Sequence, residues 1–381
     1  MKILYTNFHR GDGGGHTTYI LSLARNLSDQ HEIVVAAPEG SRLMSILTSH
    51  ASVKAIPHDF KGGLFKTLVK VRVLRSVLRH ELFDIIHVNG ATDHRACMLA
   101  LIGVRAQRPA IIYTQHSARV ATSVGAFVRA KLATDHVICV CDYTRRQMLY
   151  SFFGGKRLHL VRNGVDVNKF IPPSQMARSI AKQSWVPAPL AGRLVIGSNA
   201  GTAAYKNWLD MLEAISLLPA ILQRQVVVLI AGMLPSPVQL AKVDALGLSN
   251  TVIFSGLLSD VRPFLAAIDV GFVVSSSIET ISFACREMMA MGVPVIVSDV
   301  GGLPENVDSG LDGWVVPARD PPAIAAVLKE ILDSPGCLIS MGLRARKKAI
   351  REFSIDSCVA STERVYELAT SNQVLQSKRC R

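Results

Sequence analysis

The sequence predicts an α/β fold of two similarly built Rossmann-like domains, each a doubly wound parallel sheet, facing a central cleft. Three observations predict it. A chain of 381 residues is too long for one ordinary domain. Its composition, 49% hydrophobic and 19% charged, is that of a globular protein. Short β-branched runs alternate with helical patterns in two series, on either side of a proline-rich stretch.

In the first series "KILYTN" (2–7) reads as a buried strand, and "GGGHTTYILSLARNLSDQ" after it as a helix with Ile20, Leu23, Ala24 and Leu27 on one side. "HEIVVAAP" is the next strand, followed by "DIIHV" (84–88), "AIIYTQ" (110–115) and "HVICVC" (136–141) with helical patterns between them. Residues 170–193, "FIPPSQMARSIAKQSWVPAPLAGR", hold four prolines and read as a linker. The second series is "RLVIGSN" (193–199), the helix "NWLDMLEAISLL", then "VVVLIAG", "NTVIFSG", "VGFVVSS" and "VPVIVSD", each run ending in Gly, Ser or Asp. The expected domains are 1–170 and 171–355, with 356–381 as a final helix and basic tail. In such sheets the loops at the carboxyl ends of the strands carry the ligand.

Charge is unevenly placed: 23 Lys and Arg stand against 11 Asp and Glu up to residue 170, but 19 against 18 after it. That asymmetry points to an anionic partner for the first half. Aromatic content of 6%, with no interleaved basic and aromatic motif, argues against nucleic acid. The longest apolar stretch, "VVVLIAGML" (226–234), is well under the roughly 18 residues of a membrane span, so a cytoplasmic protein, or one attached to the inner membrane surface, is expected. Seven scattered cysteines, including Cys139 and Cys141 on one strand face, lack the paired spacing of a zinc site and read as buried thiols.

The chemistry concentrates in "SSSIETISFACREMMAMGVPVIVSDVGG" (275–302). Ser282 reads as the N-cap of a short helix stopped by Gly292 and Pro294. The backbone N–H groups of about Ile281 to Ala284 then form a seat for a diphosphate. Glu279 lies just ahead of that seat and Glu287 just over a turn into the helix; beside a phosphate, carboxylates make sense as acceptors for hydroxyls, a sugar on one side and a ribose on the other. Taken alone, an arbitrary E-x7-E is better explained by a capping glutamate and a solvated one.

The surroundings change this. With "GVPVIVSDVGGLPENV", "LDGWVV" and "VRNGVDVNKF" (161–170) in the same order, the chain resembles retaining glycosyltransferases of family 4 (glycosyl transferases group 1), which have the GT-B fold. The resemblance implies that Glu279 contacts donor-sugar hydroxyls and Glu287 the ribose, with the amides of Ile281, Ser282 and Phe283 at the sugar and diphosphate. Lys206 in "GTAAYKNW" matches the family's phosphate-binding lysine, but Gly201 and Ala200 stand where an arginine is usual. "GDGGGH" (11–16) lacks the third glycine of a dinucleotide fingerprint; it reads equally as a plain strand-to-helix turn or, by the resemblance, as placing Gly14 and Gly15 over the diphosphate and acceptor. His116, ending a strand, is expected near the donor sugar and its phosphate, stabilising charge rather than attacking. Asn163, Gly164 and Asp166 are assigned to the turn between domains.

The function so implied is metal-independent, cofactor-free, retaining transfer of a sugar from a nucleotide-diphosphate donor, UDP favoured and GDP possible. The acceptor is a hydroxyl of a lipid-linked or envelope glycan, as in lipopolysaccharide or other surface polysaccharide assembly. Glu279, His116 and Lys206 are the catalytic candidates, and the leaving diphosphate would take the acceptor proton. A GT-B-fold nucleotide-sugar epimerase would need acid-base carboxylates in the first domain, where Asp and Glu are only scattered. "FSIDSCVASTERVYELA" (353–369) resembles the family helix that returns to the first domain.

In "LFKTLVKVRVLRSVLRHEL" (64–82), Leu64, Leu68, Val71, Leu78 and Leu82 form one helical stripe, edged by Arg72, Arg75 and Arg79, and Val69, Val73 and Val77 a narrower one opposite. The first would pack on the sheet. The second, with Lys66 and Lys70, either touches an anionic membrane surface or is a solvated face.

Overall fold

A computed structural model describes residues 1–49, 52–62, 64–104, 108–277 and 279–379, and the side chains of 64–66 and 372–379 lie outside that description. The chain divides into two compact units, Met1–Gly164 with Ile355–Arg381, and Val165–Ser354.

The first unit runs β1 (Lys2–Thr6), α1 (Gly14–Leu27), β2 (Glu32–Ala37), α2 (Arg42–Leu47), β3 (Val53–Pro57), α3 (Leu64–His80), β4 (Ile85–Val88), α4 (Ala91–Leu101), β5 (Ala110–Gln115), α5 (Val124–Leu132), β6 (His136–Cys139), α6 (Asp142–Leu149) and β7 (Arg157–Leu160). Its seven strands are parallel in the order β3-β2-β1-β4-β5-β6-β7. The central strand β5 is buried on both faces along its whole length, which is why its sequence opens on an apolar run instead of alternating. The sequence does not announce β3 and β7. Both are edge strands and only partly buried, so "VKAIP" and "RLHL" carry charge, proline and histidine instead.

Helix α3 corrects one expectation. The residues it buries are Val71, Leu74 and Leu78, whereas Leu68 is 50% and Leu82 65% exposed. Leu82 lies beyond the helix with φ +46°, and Arg75 donates to the carbonyls of Leu99 and Ala100, which fixes the helix rotation against α4. Lys70 is engaged by Asp59 at 2.8 Å. Val69 and Val73 remain exposed beside Leu68, while Val77 packs against the core. The expectations for the Leu64 and Lys66 side chains and for the basic tail fall outside the described residues.

The last helix, α15 (Ile355–Arg379), belongs to the first unit. It packs Ile355, Cys358, Val365, Tyr366 and Ala369 into the core built on β1, β2 and α1. A buried polar chain fixes it there: the Tyr366 hydroxyl lies 2.6 Å from the Tyr5 hydroxyl and 2.6 Å from His87 Nδ1, and His87 Nε2 lies 2.5 Å from Thr114 Oγ1.

The second unit runs α7 (Gln175–Trp185), β8 (Leu194–Ser198), α8 (Leu209–Ser216), α9 (Ala220–Gln223), β9 (Val226–Ala231), α10 (Pro237–Ala245), β10 (Val252–Gly256), α11 (Arg262–Ala266), β11 (Val270–Val273), α12 (Phe283–Ala290), β12 (Val295–Ser298), β13 (Gly313–Val316), α13 (Pro321–Asp333) and α14 (Cys337–Phe353). Its six parallel strands are ordered β10-β9-β8-β11-β12-β13. The stretch read as a linker is instead an integral part of this unit. Ser174 caps α7 through the Ala177 N–H, Lys182 pairs with Asp269 at 2.7 Å, and Ala181, Val186 and Leu190 are buried in the core. Residues 165–170 also fold here: the Val165 N–H donates to the Phe353 carbonyl at 2.7 Å, and Arg346 donates to the carbonyls of Val167 and Phe170. No disulfide joins the described cysteines, and no helix among the described residues is long and apolar enough to cross a membrane.

Candidate active site

In both sheets the strand order reverses beside the first strand of the series, between β1 and β4 and between β8 and β11. Chains leaving neighbouring strands there diverge to opposite faces and open a crevice at the carboxyl ends. The predicted residues lie on the loops at those ends or in the helices α1 and α12 that start from them.

In the second unit, the loop after β8 carries Asn199 and Lys206, and the loop after β11 carries Ser275 and Glu279. A backbone bond from the Ser276 N–H to the Tyr205 carbonyl, 2.9 Å, ties the loops together. Lys206 Nζ then sits 2.6 Å from Glu279 Oε2, with side chains only 13% and 10% exposed, and the Ser275 hydroxyl donates to the same carboxylate at 3.0 Å. The glycines of "SDVGG" position Glu279. The Gly302 N–H donates to its carbonyl at 3.1 Å, and at Gly301, with φ +61°, a Cβ would meet that carbonyl oxygen at 1.8 Å.

Helix α12 starts beside this pair. Ser282 is its N-cap, its hydroxyl accepting the Cys285 N–H at 3.2 Å. The N–H groups of Ile281, Ser282, Phe283 and Ala284 donate to no protein acceptor among the described residues, and the first turn carries no acidic side chain. Unused amides at a helix start next to a buried lysine make an anion seat. One turn on, Glu287 accepts from Asn199 Nδ2 at 2.6 Å. Burial pushes its carboxyl up to about 7, against the opposing pull of that hydrogen bond and of the Lys169 charge.

Three of these groups escaped the sequence reading. Asn199 and Ser275 are short polar residues at strand ends, a pattern any turn shows. Lys169 hides in the turn after β7, where the Asp166 carboxylate accepts the Asn168 and Lys169 N–H groups at 3.0 Å each and so presents the lysine. It brings positive charge towards Glu287 in a site lacking the usual arginine. Gly201 could not carry that arginine without strain: its φ is +85°, and a Cβ on Gly232 would lie 2.5 Å from the Gly201 Cα, so the two loops touch backbone to backbone.

In the first unit, β1 leads through Phe8 and His9 into the glycine loop. Gly13 (φ +69°) and Gly14 (φ +48°) both have left-handed backbones, and a Cβ on Gly13 would meet Thr17 Oγ1 at 2.4 Å. Gly14 and Gly15 are exposed at the start of α1, but the Asp12 carboxylate, itself paired with Arg42 at 2.7 Å, accepts the Gly14 N–H at 3.0 Å. His116, after β5, lies 3.0 Å through Nε2 from Asn89 Oδ1. The amide nitrogen of Asn89 faces the carbonyls of Thr6 and His87, so Oδ1 accepts and His116 Nε2 carries the proton. The ring packs 4.3 Å from His16 and 4.8 Å from Tyr19, and His16 packs 4.6 Å from His9. Burial, reinforced by the neighbouring His16, drives the His116 pKa well below the ordinary range and takes His16 to about 4, so both rings are neutral near pH 7. Behind them Asp93, raised to about 6 by burial, accepts from Thr6 Oγ1 at 2.6 Å and the Asn89 N–H at 2.9 Å. One buried carboxylate thus holds the residue that holds His116.

Comparisons with known proteins bear on both units. Residues 13–169 match the family model described as Glycosyltransferase Family 4, and residues 193–334 match Glycosyl transferases group 1. The GDP-mannose-dependent alpha-(1-6)-phosphatidylinositol monomannoside mannosyltransferase of Mycolicibacterium smegmatis is 26% identical, over 91% of this chain and 93% of its own. The D-inositol 3-phosphate glycosyltransferase 2 of Catenulispora acidiphila is 27% identical, over 93% and 90%. Among solved structures, Anabaena HepE in complex with UDP shares the fold with a TM-score of 0.83 at 19% identity, over 96% of this chain and 100% of that one.

Proposed function

Because the chain belongs to the family-4 glycosyltransferases of GT-B fold, enzymes that use a nucleotide sugar, we propose that it transfers a hexose with retention, and without a metal, to a hydroxyl of a glycolipid acceptor in surface glycan assembly. The observation that carries this is the buried Lys206–Glu279 pair beside the unused amides of Ile281, Ser282, Phe283 and Ala284. A diphosphate on those amides competes with Glu279 for the Lys206 ammonium and frees the carboxylate for sugar hydroxyls. Positive charge already in place at the leaving group supplies what a metal ion otherwise would. Glu287, with Asn199 behind it, accepts the ribose hydroxyls. In the first unit, Gly14, Gly15 and His116 are the candidate groups, and a neutral His116 ring serves as a hydrogen-bonding group rather than as a countercharge to phosphate. The leaving diphosphate takes the acceptor proton, so no protein nucleophile is needed.

The relative named for GDP-mannose weighs the donor towards a GDP-hexose, ahead of the UDP-sugar and lipopolysaccharide expectation, and the inositol in both relatives' names favours an acceptor that carries inositol phosphate. The test is the melting shift with GDP, UDP, CMP and NAD in parallel, since a ligand at about 100 times its Kd adds about 2.7 kcal/mol. NMR of the product anomer and turnover in EDTA follow. A shift with GDP or UDP, a retained anomer and full turnover in EDTA are expected; a shift with NAD alone, an inverted product or loss of turnover in chelator refutes the corresponding claim.

A further inference from the structure

The second unit has a cavity at the other edge of its sheet. The donor candidates follow the carboxyl ends of β8 and β11, whereas this cavity is lined by Arg193, Arg224 and Asp269, which precede the amino ends of β8, β9 and β11. A five-residue strand separates the two edges by about 16 Å. The cavity, ≈ 820 Å³, lies in the range of small-molecule sites.

Its lining has two characters. Five cations, Arg178, Lys182, Arg193, Arg224 and Arg346, surround one carboxylate, Asp269. This is not general basicity, because the chain from 171 onward has 19 basic and 18 acidic residues. Three of the cations are engaged: Arg346 donates to the Ala290 and Phe170 carbonyls, Arg178 to the Ile268 carbonyl at 2.6 Å, and Lys182 to Asp269 at 2.7 Å. Arg193 and Arg224 make no side-chain hydrogen bond or ion pair among the described residues. Apart from Gln225 the side chains of the remaining wall are apolar, among them Met291, Pro294, Leu332 and Leu338, with Ile339 76% and Leu343 62% exposed.

Like charges gathered beside an apolar wall repel one another until an anion joins them, and the wall gains by covering. We propose that this cavity is a second ligand site, which takes a molecule of net negative charge joining a phosphate group to an apolar chain, the phosphate on Arg193 and Arg224 and the chain along Leu338, Ile339 and Leu343. The site is independent of the donor reading, because it shares no residue with it.

The experiment is calorimetric titration of the full chain with dihexanoyl phosphatidylglycerol as a monomer, dihexanoyl phosphatidylcholine and inorganic phosphate. The anionic lipid should bind about tenfold or more tighter than either control. Arg193→Gln/Arg224→Gln and Ile339→Ser/Leu343→Ser, all at solvent-accessible positions and checked by unchanged melting, should each weaken it by about tenfold or more. Lys206→Ala should leave it intact, and nucleotide melting shifts should be untouched by the arginine changes, so failure of either reading shows separately. Sedimentation with phosphatidylglycerol vesicles then names the source: capture lost in the arginine variant identifies a bilayer lipid, and binding of the monomer alone identifies a phosphorylated amphiphile taken free of the bilayer. Equal binding of phosphatidylcholine or phosphate, indifference to the arginine changes, or loss of binding in Lys206→Ala overturns the proposal.

Discussion

Glu287→Gln separates what the carboxylate does for binding from what it costs the fold. Held at about 7 against an ordinary value near 4.5, Glu287 binds a proton in the native state that the unfolded chain has released between those values. Stability therefore falls as pH rises through that window, the reverse of a salt-bridged carboxylate. Between pH 5 and 8.5 the loss works out at about 2 to 3 kcal/mol, from roughly 1.4 kcal/mol per pH unit of separation. The glutamine variant keeps an acceptor for Asn199 Nδ2 but cannot ionise. In urea titrations at pH 5 and 8.5, the variant should gain about 2 to 3 kcal/mol on the wild type between the two pH values. Nucleotide affinity should move the other way. If the ionised form accepts ribose hydroxyls, wild-type affinity rises about tenfold from pH 6 to 8 as the carboxylate fills, while the variant binds weakly and without slope. Parallel stability curves for the two proteins, or a wild-type affinity indifferent to pH, would refute the reasoning.

Three further outcomes are expected. Gly301→Ala forces a Cβ onto the Glu279 carbonyl at a left-handed position, so it should destabilise by about 2 kcal/mol or more and depress kcat; unchanged urea midpoint and turnover would contradict the packing. Tyr366→Phe removes the hydroxyl shared by Tyr5 and His87 and should cost about 2 kcal/mol in the same titration, with no change expected at the donor residues. Replacing the exposed Leu68, Val69 and Val73 by Ser should release the protein from anionic vesicles if α3 meets a membrane, and equal retention would mark that face as merely solvated.

Central strands were legible because burial on both faces leaves an unmixed apolar run, and α12 was legible because its cap and its stop are both local signals. The edge strands β3 and β7 were not, although β10, also an edge, was, and neither was α7, since prolines at 172, 173, 187 and 189 flank a helix as readily as they fill a linker. The rotation of α3 was hidden for another reason. Two apolar stripes compete on its surface, and the choice is made by Arg75 reaching carbonyls 24 and 25 residues away. The site residues Glu279, Glu287 and Lys206 stood out through spacing and neighbours, whereas Asn199, Ser275, Asp93 and Lys169 acquire meaning only when the sheet order brings their loops together. The dual use of Lys206 and Glu279, each serving as the other's partner, is a matter of distance that no spacing encodes.

The return of α15 to the first unit sets a clock on synthesis. The polar chain through Tyr5, His87, Thr114 and Tyr366 buries groups from β1 that wait for a helix made only after the second unit. The whole second unit, residues 165 to 354, must leave the ribosome in between, an interval of roughly 10 to 40 s at about 5 to 20 residues per second. Throughout it the part of the β1, β2 and α1 core that α15 covers stands open, and a chaperone that recognises apolar surface would have its best opportunity there.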